Sequence, residues 1–426
     1  MERLIVFALV FLLPTQLAYH FWPQFSYIHG LRVDYLSPAI YLTDILIVLL
    51  LPYIKKRLYL LLSPIIIFAL VNCVFAQIPI VALLKWIVIF KLVVLGLYFY
   101  SCDLHMLKKT IVSALSLSLA IISLIGLLQF IFQKTIGGPL YLLGERSFTS
   151  LTPGISLMNF FGKSLMRAYS TFSHPNSFAG FVVVSFLITL SFKSKRRLLL
   201  FVVVALSLLL TLSLNATIGV FLVIILFFVM NNFPKIVEKT KAFLPFALIG
   251  LSLLFAVVSS VMPLGITVKE SYKERVVLAG KTIEAFSNDI LPVQKSGVSL
   301  QRRMTYQRSI HLRSKLRSVF ECCYKPMLGV GLNNFFFATK SIQPPHNIYL
   351  IVLSETGIVG IIILFLLLLK LLNRNLNKYL FLAVVFVLVT GLFDHYWFTL
   401  QQNQLLLSFL LGLVVRKEYS KNLYGK

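Results

Sequence analysis

The sequence predicts an all-α, polytopic membrane protein of about twelve transmembrane helices with a large, partly helical extracytoplasmic loop. Three observations lead there. The 426 residues are 58% hydrophobic and 13% charged, with a mean hydropathy of +0.90, so there is too little polar surface to cover a soluble core. Apolar runs of roughly 20 residues recur along the chain, the length that crosses the hydrocarbon layer while satisfying its own backbone. Lys and Arg gather in every second short connection, the pattern of cytoplasmic loops.

In order, the runs lie near residues 3 to 21, 37 to 53, 58 to 76, 80 to 100, 110 to 132, 177 to 192, 198 to 213, 216 to 232, 243 to 262, 347 to 369, 379 to 394 and 402 to 415. The first carries only Arg3 as a basic residue at its start and has no small-residue cleavage site, so a retained helix is expected and not a removed signal peptide. The basic connections are Lys55-Lys56-Arg57, Lys108-Lys109, Lys193 with Lys195 to Arg197, Lys235 with Lys239 and Lys241, Lys370 with Arg374 and Lys378, and the tail from Arg416. Both termini are therefore expected in the cytoplasm, which the even number of runs also requires. The chain divides into helices over 1–132, a first outer loop over 133–176, helices over 177–262, a second outer loop over 263–346, and helices with a cytoplasmic tail over 347–426.

A net charge of +26 raises the question of nucleic acid, but these charges flank apolar runs, where anionic lipid headgroups are the partner. Cys73, Cys102, Cys322 and Cys323 make no CxxC or zinc spacing, and the adjacent pair is badly placed to bridge itself. No redox role is expected.

The two outer loops are the places for chemistry, because connections beyond about 15 residues are uncommon without a function. The second holds thirteen Lys or Arg against five acids, an excess of eight, on the side where short loops carry few cations. An anionic ligand explains it. No Pro or Gly interrupts Leu300 to Tyr324, so a helix is expected there. On it Arg302 and Arg313 fall within about 20° of each other, with Arg317 about 40° further round. Guanidinium groups on one face suit bidentate phosphate binding, although a basic face lying on anionic headgroups accounts for the same pattern. His346 begins the tenth apolar run beside Pro345, at the outer surface. An imidazole in that place either anchors at the interface or moves a proton beside a pyrophosphate or hydroxyl.

Two motifs narrow the choice. The first joins Pro326-Met-Leu-Gly-Val-Gly-Leu-Asn-Asn-Phe335, His346-Asn347-Ile-Tyr-Leu350 and Glu355-Thr-Gly-Ile-Val-Gly360. It resembles the signature of the O-antigen ligase family. The second, Arg167-Ala-Tyr-Ser-Thr-Phe-Ser-His174-Pro-Asn176-Ser-Phe-Ala-Gly180, is similar to that family's R-x-x-G-T-F-x-H-P-N-x-L-A-G element, with Ser170 where a Gly is often found. The resemblance covers roughly residues 165 to 415, the first five runs matching only in hydropathy.

The resemblance implies a GT-C-like, metal-independent, inverting glycosyltransferase. Such an enzyme takes a glycan from an undecaprenyl-pyrophosphate carrier at the outer face of the cell inner membrane. The acceptor is a hydroxyl of a glycan, lipid or protein, making the enzyme a ligase or polymerase. Carried over by position, the catalytic residues are His346, Arg167 and Arg313. Arg303, in Ser299-Leu-Gln-Arg302-Arg303, is the alternative second-loop arginine. Arg302, Arg303, Arg317, His174, Asn176 and Asn347 are expected to bind substrate. No cofactor and no metal is expected, since the outer loops hold no DxD pair. The competing class is a flippase or exporter of the same lipid-linked glycans. Asp44, Lys85 and Lys91 at membrane depth, and Asp394-His395-Tyr396 with Gln401, Gln402 and Gln404 before the last run, are weaker candidates that snorkelling or an interfacial polar belt also explains.

Overall fold

The computed structural model describes residues 1–160, 162–194, 196–261, 270–287 and 325–416. The expected second-loop helix, with Arg302, Arg303, Arg313 and Arg317, lies outside them, as do Cys322 and Cys323.

Helices dominate. They are α1 (Glu2–Phe11), α2 (Leu42–Leu50), α3 (Ser63–Val74), α4 (Pro79–Ser101), α5 (Leu104–Phe132), α6 (Pro175–Ser191), α7 (Arg197–Thr211), α8 (Leu214–Asn232), α9 (Pro234–Thr240), α10 (Leu244–Val261), α11 (Glu270–Ser287), α12 (Ile348–Leu372), α13 (Lys378–Thr390) and α14 (Gln401–Val415). Their starts follow from local chemistry. Asp103, His174, Ser213, Asn347 and Asn377 each accept a backbone N–H of the first turn, which satisfies donors that would otherwise be stranded.

Each apolar run contains a helix, but among the described residues six helices are long and apolar enough to cross a membrane alone: Lys56–Val74, Pro79–Ser101, Leu104–Phe132, Leu214–Asn232, Pro234–Ser259 and Ile348–Leu372. The apolar helices Pro175–Ser191, Arg197–Thr211, Lys378–Thr390 and Gln401–Val415 are shorter. α6 and α13 are enclosed by their neighbours and form the centre of the core. The outer helices turn large apolar side chains such as Phe201, Phe221, Phe228 and Leu254 outward, the arrangement expected of a surface solvated by lipid.

The first run departs from expectation. Its helix stops at Phe11, just before Pro14, and four short strands follow, the first and last of them inside runs where helix was expected. β1 (Ala18–His20) pairs antiparallel with β4 (Ala39–Tyr41). Between them β2 (Tyr27–Ile28) pairs with β3 (Leu31–Arg32). His29 and Gly30 turn this hairpin with φ of 50° and 77°, the left-handed pair that a two-residue turn requires. In the first outer loop β5 (Leu157–Phe160) and β6 (Lys163–Met166) form a third hairpin, and β6 delivers the chain to Arg167.

The glycine motif is a latch. Gly357 breaks α12 with φ 65°, and Gly329, at φ 71°, packs backbone to backbone against it; a Cβ on either would run into the other segment's main chain. The carbonyls freed by the break are used. Val330 N–H donates to Ser354 O at 2.9 Å and Gly331 N–H to Glu355 O at 3.1 Å. Asn72 of α3, 1% exposed, ties the latch down: its Nδ2 donates to Leu328 O and Glu355 O, both at 3.1 Å, and its Oδ1 accepts Trp86 Nε1 and Leu332 N, both at 3.0 Å. Asn334 accepts Ile78 N at 2.7 Å and Asn333 donates to Tyr35 O at 3.0 Å. The consecutive asparagines thus fasten the latch to the N-terminal third of the chain.

Candidate functional site

The end of α7, the starts of α6, α8 and α12, and the end of α13 meet at one end of the bundle. The basic turns at Lys193, Lys235 to Lys241 and Lys370 to Lys378 lie at the opposite ends of these helices.

At that meeting point a continuous polar chain runs from Arg167 to His346. Arg167 Nε donates to Thr211 O at 2.6 Å, Nη1 to Ser156 Oγ at 2.8 Å and Nη2 to Asn176 Oδ1 at 2.8 Å. A guanidinium has five N–H donors, so its plane is fixed from three directions with donors to spare. Asn176 Oδ1 also accepts Ser213 Oγ at 2.9 Å, while its Nδ2 donates to Asp394 Oδ2 at 2.9 Å. The other oxygen, Asp394 Oδ1, accepts His395 N at 2.8 Å and faces His346 Nδ1 at 3.6 Å, an ion-pair separation too long for a hydrogen bond. His346 Nε2 lies 3.3 Å from Gln343 Oε1. Arg167 and His346 are therefore joined through only Asn176 and Asp394. His395 packs against His346 with ring centroids 4.9 Å apart, and its Nδ1 lies 2.7 Å from Thr399 Oγ1.

The cluster is buried, and its electrostatics follow. Burial opposes charge on His174 and lowers it to about 4, with Arg167 and Arg275 adding to the effect against the pull of Asp394. His395 is driven down to about 3, by burial first and then by His346, His174 and Arg275. Both are neutral at pH 7. Burial pushes the Asp394 carboxyl up, but the His346 ring and the imidazoles of His395 and His174 more than offset it. Asp394 is held below the usual carboxylate range.

The other expected residues divide. His174 caps α6, its Nδ1 accepting Asn176 N at 3.1 Å. Asn347 caps α12, accepting Tyr349 N at 2.9 Å and Leu350 N at 3.1 Å, and donates to Ser252 Oγ and Leu392 O; it anchors the helix that presents His346. Asp44 and Lys91 pair at 2.7 Å, with Gln401 beside both, and Lys85 lines a cavity. Sequence reasoning ranked Asp394 as a belt residue and passed over Arg275, whose Nη1 donates to Phe393 O at 3.1 Å. The only signal for Asp394 was a lone acid between two apolar runs. One donor atom each of His346, Asp394 and His395 lies within 4.8 Å of the others, so the trio has the spacing to hold a metal ion as well as a proton network.

Residues 199–365 match the family model described as O-antigen ligase. The match takes in the glycine latch and His346-Asn347, and stops short of Arg167 on one side and Asp394 on the other. No curated protein and no solved structure matches.

Proposed function

We propose, from the match of residues 199–365 to the family model described as O-antigen ligase, that this integral membrane protein moves a glycan from an undecaprenyl-pyrophosphate carrier to an acceptor hydroxyl. The reaction runs at the outer face of the inner membrane. The observation that carries the reading is the row Arg167, Asn176, Asp394, His346, hydrogen-bonded as far as Asp394 and closed by a 3.6 Å approach of its Oδ1 to His346 Nδ1.

The chemistry is a single displacement. Asp394, kept as a carboxylate, favours the His346 tautomer with its proton on Nδ1, which leaves Nε2 as the base. Gln343, beside Nε2, turns its amide N–H to that atom until an acceptor hydroxyl takes its place. The hydroxyl proton passes to Nε2 as the acceptor oxygen bonds to the anomeric carbon, and the bond from that carbon to the pyrophosphate oxygen breaks. Attack opposite the leaving group inverts the anomeric centre. The departing pyrophosphate gains negative charge, which the remaining N–H donors of Arg167 stabilise from a guanidinium already held in place. Arg313 or Arg303 supplies a further guanidinium, and Arg275 adds positive charge from the same outer segment. No metal is assigned a role. With both termini in the cytoplasm, the basic turns face inward and the site faces out.

The test is reconstitution in lipid vesicles with a labelled undecaprenyl-pyrophosphate-linked glycan. Transfer to an acceptor with inversion is expected, and His346→Ala and Arg167→Ala should lose it while still inserting. Movement of the labelled lipid across the bilayer without transfer means a transporter and ends this reading.

A further inference from the structure

The first two apolar runs contain too little helix to cross a membrane. α1 and α2 hold ten and nine residues, a rise of about 15 Å at ~1.5 Å per residue, against a hydrocarbon layer of about 30 Å. Their charged ends, Glu2-Arg3 before α1 and Lys55 to Arg57 after α2, lie on the same side, because β1 and β4 pair antiparallel at the opposite ends. Counted from the charged ends, helix carries each crossing about halfway. The three residues of each strand add about 10 Å at ~3.3 Å per residue, so most of what is left falls to the β1–β4 ladder.

The two faces of that ladder differ. Ala18, His20, Ala39 and Tyr41 line a cavity of about 700 Å³, roomy enough for water, whose wall includes Gln343, 3.3 Å from His346 Nε2. On the other face stand Tyr19 and Ile40, direct cross-strand partners, 69% and 55% exposed. Phe21, two residues beyond Tyr19 and so on the same side, is exposed as well, and the apolar surface continues along α2 through Ile45, Val48 and Leu49.

Polar atoms at this depth are spent inside the fold. Phe21 N–H donates to Pro38 O at 2.8 Å and Leu42 N–H to Leu17 O at 3.2 Å. Tyr41 N–H donates to Asp44 Oδ2 at 3.1 Å, and Asp44 Oδ1 pairs with Lys91 at 2.7 Å. The acid and the cation that the second and fourth runs carry at membrane depth thus close the junction between strand and helix. Backbone outside helices persists at that depth only where it is buried in protein or lines a water-filled cavity. The inner face of the ladder meets this condition, while the outer face offers large, mostly apolar side chains.

We propose that the β1–β4 ladder is a membrane-embedded wall, with Tyr19, Phe21 and Ile40 packed against lipid acyl chains and its inner face bounding the cavity. A single layer of strand then separates the bilayer from the cavity beside Gln343. The inference rests on the membrane reading of the chain and not on the ligase reading, since it needs no turnover to test.

The full chain is reconstituted in lipid vesicles with Trp22→Phe as the parent, which removes the one tryptophan of three that is not buried. Trp86 and Trp397 remain as a constant signal. Ile40→Trp and, separately, Tyr19→Trp then report on the outer face. Each should emit at short wavelength, lose intensity in lipid brominated along the acyl chain, and resist quenching by acrylamide in the water. Quenching by acrylamide and not by brominated lipid puts the ladder in water and overturns the proposal. Quenching by neither means that protein, such as a second copy of the chain, covers the face, and overturns it equally. Should Ile40→Trp not fold, Tyr19→Trp decides by the same two quenchers, since an aromatic ring already stands there. Transfer assays on the Trp22→Phe parent keep the two readings apart. Lipid quenching without transfer supports the wall and counts against the ligase, whereas transfer with acrylamide quenching does the reverse.

Discussion

The two motif-bearing regions of this protein use their polar atoms in opposite ways. In the segment from Arg167 to Asn176, side chains reach toward one another and toward Asp394 and His346, leaving guanidinium donors and an imidazole nitrogen not closed on the backbone. In the segment from Pro326 to Phe335, the asparagines and the broken helix at Gly357 bond backbone, so that nearly every group closes on the fold itself. The second region is the richer in recognisable sequence, yet its chemistry is architectural. A backbone held at positive φ restricts which residue can occupy it as firmly as a chemical role does.

The sharpest way to break that contrast is at His346 and Asp394. His346→Ala should cost about 10²- to 10⁴-fold in transfer rate, the range for a lost general base, and Asp394→Asn on the order of tenfold or more, with melting temperatures in detergent close to wild type for His346→Ala. Asn72→Ala is the opposite experiment. It strands Trp86 Nε1, Leu332 N and the Leu328 carbonyl in the interior, at about 1–3 kcal/mol for each group left unpaired, while Glu355 O keeps the N–H of Gly331. The melting temperature should fall by many degrees while the turnover of correctly folded protein stays near wild type. If Asn72→Ala instead lowers turnover without moving the melting temperature, the latch is part of the reaction centre and the contrast fails.

Acid should separate the regions as well. His174 and His395, lowered to about 4 and about 3, favour the folded state only while neutral. An unfolded chain takes up protons below about pH 6.5, so stability is complete above that value and drains away between it and roughly pH 4 to 3. Asp394, also held low, adds its loss at the acid end of the same window. Melting curves from pH 7 to 4 should fall, and His174→Asn, which keeps a capping acceptor, should flatten the slope. An unchanged slope would mean that the buried imidazoles are not what acid attacks.

Much of this was legible beforehand, and the misses have physical causes. The helices follow from apolar runs and from capping residues at their starts. The meeting of Arg167, Asn176 and His346 was expected from two motifs at the ends of the outer loops. Asp394 was placed only among the weaker candidates, because a single carboxylate next to an apolar run has no periodicity to mark it; only the fold shows that Asn176 bonds one of its oxygens while His346 faces the other. The strands before Tyr41 were missed for a related reason. Tyr19 and Phe21 read as apolar continuation, and a hairpin turn through His29-Gly30 lacks the usual Asn-Gly signal. Ser170 repays a closer look at a single departure. It holds φ 55° where the resembling family often has Gly, and Ser170 Oγ donating to Ile122 O at 2.7 Å helps to hold that conformation.

The smallest expected effect is that of removing metal. The trio of His346, Asp394 and His395 has the spacing for an ion, but the protein already engages most of its atoms: both Asp394 oxygens accept N–H donors, and His395 Nδ1 meets Thr399. His346 Nδ1 has no hydrogen bond among the described residues, and in the proposed tautomer it carries a proton and not a lone pair. Incubation with EDTA should therefore leave the transfer rate unchanged, while millimolar zinc, by drawing His346 Nδ1 and Asp394 onto itself, should inhibit reversibly. A rate that falls with chelator and returns with one particular divalent ion would move Asp394 from orienting a base to holding a metal, and the displacement chemistry would have to be rewritten around it.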